Sequence, residues 1–92
     1  MCKVSRCEVS DCSYNTNKKC HTLAITIGDD ANPKCDTFCH SMQKGGDQKI
    51  VADVGACKVS VCRYNENLEC QADGITVGYA HGEPDCLSFR QR

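Results

Sequence analysis

Two stretches of the chain alternate between β-branched apolar and small polar positions and then stop at a glycine: HTLAITIG, ending at Gly28, and QADGITVG, ending at Gly78. A period of two in β-branched residues predicts a strand, and the glycine its end. CEVSDC from Cys7 and CKVSVC from Cys57 alternate as well, with Cys, Val and a second small residue on one side. They predict a further strand. Tyr14-Asn15-Thr16-Asn17 and Tyr64-Asn65-Glu66-Asn67 read as turns, because asparagine tolerates left-handed backbone. A short third strand is expected through Cys35 to Phe38 and again through Cys86 to Phe89. Helical periodicity is weak; DTFCHSMQK, from Asp36, is the best candidate for one or two helical turns.

These elements occur twice. At an offset of 50, Cys7, Cys12 and Cys20 match Cys57, Cys62 and Cys70. Val9, Ser10, Tyr14, Asn15 and Asn17 match Val59, Ser60, Tyr64, Asn65 and Asn67, and Ile25-Thr26 and Gly28 match Ile75-Thr76 and Gly78. The second copy then gains one residue, in a stretch where a surface loop tolerates length changes. At an offset of 51, Pro33, Cys35 and Phe38 match Pro84, Cys86 and Phe89. The expected fold is a small β-rich protein of two homologous modules, stabilised by metal or disulfides. The modules are residues 1–41 and 56–92, joined by a linker over 42–55. Each is expected to hold a short two- or three-stranded antiparallel sheet with irregular loops. Gly45-Gly46 makes the first half of the joint flexible. Its second half reads as plain linker or, with apolar Ile50, Val51 and Val54, as a segment that docks on a module.

Composition says what must hold such modules together. Among 92 residues there is no tryptophan, and there are only two phenylalanines and three tyrosines. A chain this short with so little bulky apolar material barely offsets its conformational entropy. Ten cysteines are the feature able to supply the deficit. The net charge is −1, with five basic and five acidic residues in 1–42 and four and five in 56–92. A nucleic-acid partner is therefore not expected. No apolar run approaches a membrane span. No secretory h-region follows Met-Cys-Lys-Val-Ser, so unless a leader was removed a cytoplasmic location is expected. In a reducing compartment clustered cysteines serve more often as metal ligands than as disulfides.

Four cysteines recur per copy, which suits one tetrahedral all-thiolate zinc site each, two ions in all. Metal binding then becomes folding energy. The Cys-x4-Cys gap is looser than the usual knuckle, so the weight rests on its exact recurrence. Two disulfides per module, in any of three pairings, fit the count too, and an iron–sulfur centre is a third option whose usual spacings are absent. Cys2 and Cys39 stand outside the repeat, as free thiols or as a disulfide or exchangeable ligand pair with His40. His21 and His81 have no counterparts, so a shared ligand role is not expected. Tyr14, Tyr64, Phe38 and Phe89 read as small cores, and Asn15 and Asn65 as residues that hydrogen-bond backbone or a sulfur in the turns.

The run Cys-x-Val-x-x-Cys-x-Tyr-Asn, then Cys, Ile-Thr-Val-Gly and Cys-x-x-Phe resembles the small bacterial four-cysteine domains called domain of unknown function 1540, over residues 7–38 and 57–89. The resemblance implies a bacterial source, often spore-forming or anaerobic. It also implies metal binding through Cys7, Cys12, Cys20 and Cys35, and through Cys57, Cys62, Cys70 and Cys86. No activity comes with it, and Cys2 and Cys39 depart from its pattern. The function expected is a non-catalytic zinc-binding tandem module, with loops after Gly28 and Gly78 that contact a protein partner. The alternatives are a metal-buffering or thiol redox-sensing protein, or a disulfide-stapled surface or spore-coat component. A catalytic zinc needs an open position and a nearby base, and no His, Asp or Glu recurs with the cysteines.

Overall fold

The computed structural model describes residues 2–29, 32–41, 43–80 and 82–91. Met42, where the joint was placed to begin, and His81 lie outside them. Among the described residues there are ten strands and no helix. The first copy supplies β1 (Lys3–Cys7), β2 (Asn15–Thr16), β3 (Lys19–Cys20), β4 (Ala24–Asp29) and β5 (Asn32–Cys35). The second supplies β6 (Asp53–Cys57), β7 (Asn65–Glu66), β8 (Glu69–Cys70), β9 (Gly74–Ala80) and β10 (Glu83–Cys86). No helix of the described residues is long and apolar enough to cross a membrane.

Six strands close into a barrel in the order β1-β6-β4-β5-β10-β9, and the two copies exchange their first strands within it. β1 runs parallel to β9, with Val4 opposite Ile75 and Cys7 opposite Val77. β6 runs parallel to β4, with Val54 opposite Ile25 and Cys57 opposite Ile27. β1 and β6 meet antiparallel at Lys3 and Asp53, whose side chains form a 3.0 Å ion pair. β5 and β10 meet antiparallel at Lys34 and Asp85. The hydrogen bonds come in matched pairs: Val4 N–H to Ala52 C=O at 2.9 Å and Val54 N–H to Cys2 C=O at 2.7 Å. Glu8 N–H to Val77 C=O and Lys58 N–H to Ile27 C=O are both 2.7 Å. The arrangement is a pseudo-twofold.

The β-rich class holds, and each copy carries a two-stranded antiparallel sheet, β2-β3 and β7-β8; the six longer strands, however, are not confined to a module but share one barrel. A sheet of two or three short strands cannot cover its own apolar face. Exchanging first strands buries Val4, Val54, Ile25, Ile27, Ile75 and Val77 in one shared core.

Three more expectations are corrected. The alternating runs after Cys7 and Cys57 are not strands: the strands end at those cysteines, and Cys12 N–H turns back to Val9 C=O at 3.1 Å. Likewise β5 and β10 end at Cys35 and Cys86 instead of starting there, and Phe38 and Phe89 follow in turns. Over the described part of DTFCHSMQK the chain turns and bends without forming a helix. The apolar end of the joint docks: Ala52 is fully buried, Val54 nearly so, and strand β6 starts at Asp53.

A bulge aims each first cysteine inward. In β1, Ser5 is an extra residue between Val4 and Arg6; in β6, Gly55 is the extra one. Residues three apart on a regular strand face opposite sides. The bulge turns both Val4 and Cys7, and both Val54 and Cys57, into the core.

Candidate cysteine centres

Each quartet collects from four different turns and strand ends. Cys7 closes β1, Cys12 lies in the turn beyond it, Cys20 closes β3 and Cys35 closes β5. All four are buried. They line one cavity of about 20 Å³ together with Val4, Val9, Ile25, Tyr14 and Phe38, and the second copy adds Val77 and Pro84. Cys57, Cys62, Cys70 and Cys86 line a matching cavity of about 20 Å³ with Val54, Val59, Ile75, Tyr64 and Phe89. Ile27 and Pro33 of the first copy complete it. Each cavity has room for about one water-sized particle. The four recurrent aromatics are thus cavity wall, packed against the core.

Local chemistry fixes these positions. β2 and β3 pair Asn15 with Cys20 and Thr16 with Lys19, which leaves Asn17-Lys18 as a two-residue loop with φ of 54° and 64°. Its partner loop, Asn67-Leu68, has φ of 53° and 69°. Two positive φ values make a type I′ turn, which asparagine suits. So Asn17 and Asn67 take the turn, while Asn15 and Asn65 lie on strands with buried side chains. The Asn15 amide donates to Cys7 C=O at 2.7 Å, and Cys7 N–H donates to Lys18 C=O at 2.9 Å. Asn65 donates to Cys57 C=O at 2.6 Å. These bonds tie the first cysteine of a quartet to the hairpin that carries the third. Asn15→Ala is expected to cost about 1–3 kcal/mol by orphaning a buried carbonyl. Asn15→Asp removes the same donor and should fare no better. Urea unfolding of the two variants and the parent measures this.

Burial pushes the Cys35 thiol up to about 11, and the neighbouring Cys12, Cys20 and Cys7 add to it. Burial pushes Cys86 up to about 12, with Cys70, Cys62 and Cys57 adding. Burial also raises Cys20, again helped by Cys7 and Cys12. Four thiols in one apolar pocket oppose each other's ionisation. Yet three of the sulfurs already receive a backbone N–H that favours the thiolate: Thr22 on Cys20, Thr37 on Cys35 and Ser88 on Cys86. The donor set fits a soft divalent cation, whose charge would reverse the mutual opposition. Among the described residues no three or more His, Cys, Asp or Glu side chains are placed closely enough to hold a metal ion as they stand. All ten cysteines are free thiols.

The raised values set the pH behaviour. A proton held more tightly in the fold than in the unfolded chain, where thiols titrate near 9.0, stabilises the metal-free fold fully below that pH. That stabilisation is lost as pH climbs through about 11 to 12. Near neutral pH, uptake of a divalent cation must expel the protons. Zinc titration should therefore release protons, and uptake should weaken as pH falls. Calorimetry in buffers of different ionisation enthalpy counts them.

Of the cysteines outside the repeat, Cys2 is buried beside the second quartet, although it belongs to the first copy. Burial raises its thiol to about 12, with the neighbouring Cys70 and then Cys86 adding to it, and the thiol donates to Lys3 C=O at 3.8 Å. The equivalent position of the second copy is Ala52. Cys39 is exposed and its carbonyl accepts Ser13 N–H at 2.6 Å, while the neighbouring His40 ring tilts against Phe38 with centroids 6.4 Å apart. The structure therefore places Cys2 and Cys70 in the wall of one cavity, a pairing the sequence never suggested. His21 is buried, and its Nδ1–H donates to Ile50 C=O at 2.7 Å, pinning the joint.

The family model described as Domain of Unknown Function (DUF1540) matches residues 6–41 and 56–89. These segments cover most of the chain, which therefore belongs to that family as a tandem repeat. No curated protein and no solved structure matches it.

Proposed function

We propose that this tandem member of the family is a non-catalytic zinc-binding module, with one structural four-thiolate site per copy and a role in protein interaction or assembly. The observation that carries the reading is the convergence of each quartet, from four separate turns and strand ends, on one ion-sized apolar cavity. Cys7, Cys12, Cys20 and Cys35 would hold one ion; Cys57, Cys62, Cys70 and Cys86 the other. Zinc suits four thiolates in a closed tetrahedral shell and, when bound, supplies charge neutralisation and folding energy. Among the described residues neither cavity is lined by His, Asp or Glu, which supports a structural site over a catalytic one. Four thiolates on a divalent cation leave roughly −2 per site. Added to the formal −1, that takes the molecule to about −5 and disfavours nucleic acid. Exposed Leu68, Tyr79 and Leu87 of the second copy offer apolar contact area to a protein partner. The reducing interior of a bacterial cell is the compartment that suits free thiols.

Native against denaturing mass spectrometry tests this on protein purified in reductant without added metal. A native mass heavier by two zinc ions, lost in acid, is the expected result. A metal-free mass lighter by two hydrogens per cysteine pair would replace zinc with a disulfide-stapled surface or spore-coat protein.

A further inference from the structure

We infer that Cys2 and Cys70 form an oxidative modification site, at which a neutral hydroperoxide closes the two thiols into a disulfide and withdraws Cys70 from the second quartet. Cys70 has two faces. It lines the inner cavity with the other three cysteines of its quartet. It also lines a separate outer cavity of about 460 Å³, together with Cys2, Glu69, Gln71 and Asp73. Cys70 is half-buried, whereas Cys2 behind it is 2 % exposed. Val54 N–H holds the Cys2 carbonyl at 2.7 Å, so the strand exchange itself fixes the Cys2 backbone at the wall of the cavity that Cys70 also lines. The acidic residues of the outer cavity repel anionic oxidants such as peptide-derived disulfides and leave a small uncharged peroxide as the reagent that fits. The first quartet has no such site: Ala52 occupies the place of Cys2, its N–H bonded to Cys20 C=O at 2.9 Å.

The chemistry balances. The Cys70 sulfur attacks one peroxide oxygen and the O–O bond breaks. The departing hydroxide takes the Cys70 proton and leaves as water, and Cys70 becomes a sulfenic acid. The Cys2 sulfur then attacks the Cys70 sulfur and the S–O bond breaks, the Cys2 proton leaving with that oxygen as a second water. Two thiols and one hydrogen peroxide give one disulfide and two waters.

The test treats the full chain with a small excess of hydrogen peroxide, alkylates the remaining thiols, and maps digested peptides by mass. The expected product is a Cys2–Cys70 linked peptide, with the whole protein lighter by two hydrogens and restored by a thiol reductant. Cys2→Ala copies the natural Ala52 and should fold; there Cys70 should instead progress to sulfinic acid, which reductant does not reverse. Linkages confined to the quartets, or Cys2 recovered fully alkylated after peroxide, would overturn the inference. The disulfide is read on sulfur alone, so it stands or falls separately from metal binding. Native mass on the same samples reads the zinc: one ion lost and one kept is expected. Two ions bound with no Cys2–Cys70 linkage sinks this inference alone, and a linkage in protein that never holds zinc sinks the zinc reading alone.

Discussion

Stripping the proposed zinc ions from the reduced protein is expected to unfold it. Seven of the sixteen buried apolar residues among those described are cysteines, and the largest side chains fully out of water are Val4, Val9 and Val59. Among the described residues no leucine or phenylalanine joins them. Without a cation the quartets place thiols around small apolar voids, and such a core contributes little beyond what chain entropy removes. A structural zinc ion contributes apparent free energies of about 10–16 kcal/mol in small domains. That is comparable to the whole stability of about 5–15 kcal/mol usual for a folded domain. The barrel seals both cavities with residues of both copies, so the two ions should act on one cooperative unit. A chelator with reductant should abolish amide dispersion and the cooperative thermal transition, and zinc alone should restore both. Metal-free, fully reduced protein that keeps a dispersed spectrum and melts cooperatively would refute this. Resistance to chelator combined with collapse in reductant would point to disulfides.

The sequence disclosed the β class, the duplication and both quartets, because each leaves a local mark: β-branched alternation before a glycine, and cysteine gaps repeated unchanged. Strand placement was less legible. Ser5 and Gly55 show no sign of being bulges, yet a bulge alone lets Val4 and Cys7 face the same way. The strand was accordingly read on the wrong side of Cys7. Strand exchange had no local mark at all, since β1 suits β4 and β9 equally by its own pattern. For the same reason nothing placed Cys2 beside Cys70. Its offset partner Ala52 was visible, but which copy either residue packs against is decided by the topology of the whole barrel.

That topology yields the second large effect: neither half of the chain is expected to fold as a monomer. In fragment 1–49, β4 lacks β6 along one edge and β1 has no parallel partner. Two bare edges in so small a sheet leave backbone groups unpaired and invite association. The first cavity would also lose Val77 and Pro84 from its wall. Fragment 50–92 loses β1 from β9, and Ile27 and Pro33 from the second cavity. Each fragment can recover these contacts from a second copy of itself, because β1 and β6 share a pattern of inward residues and β4 and β9 share their Ile-Thr register. In 1–49, Val4 and Cys7 would then face Ile25 and Ile27 of the other molecule, as Val54 and Cys57 face them in the intact chain. With zinc and reductant present, light scattering after size exclusion should find unfolded monomers or folded homodimers. Mixing the fragments should give a one-to-one complex with the spectrum of the parent. A half-chain that shows dispersed amide signals at monomer mass would mean that the modules are complete alone. The intact protein behaves, on this reading, as a symmetric dimer whose two subunits share one chain, and the joint from 43 to 52 acts as a tether whose last residues are core.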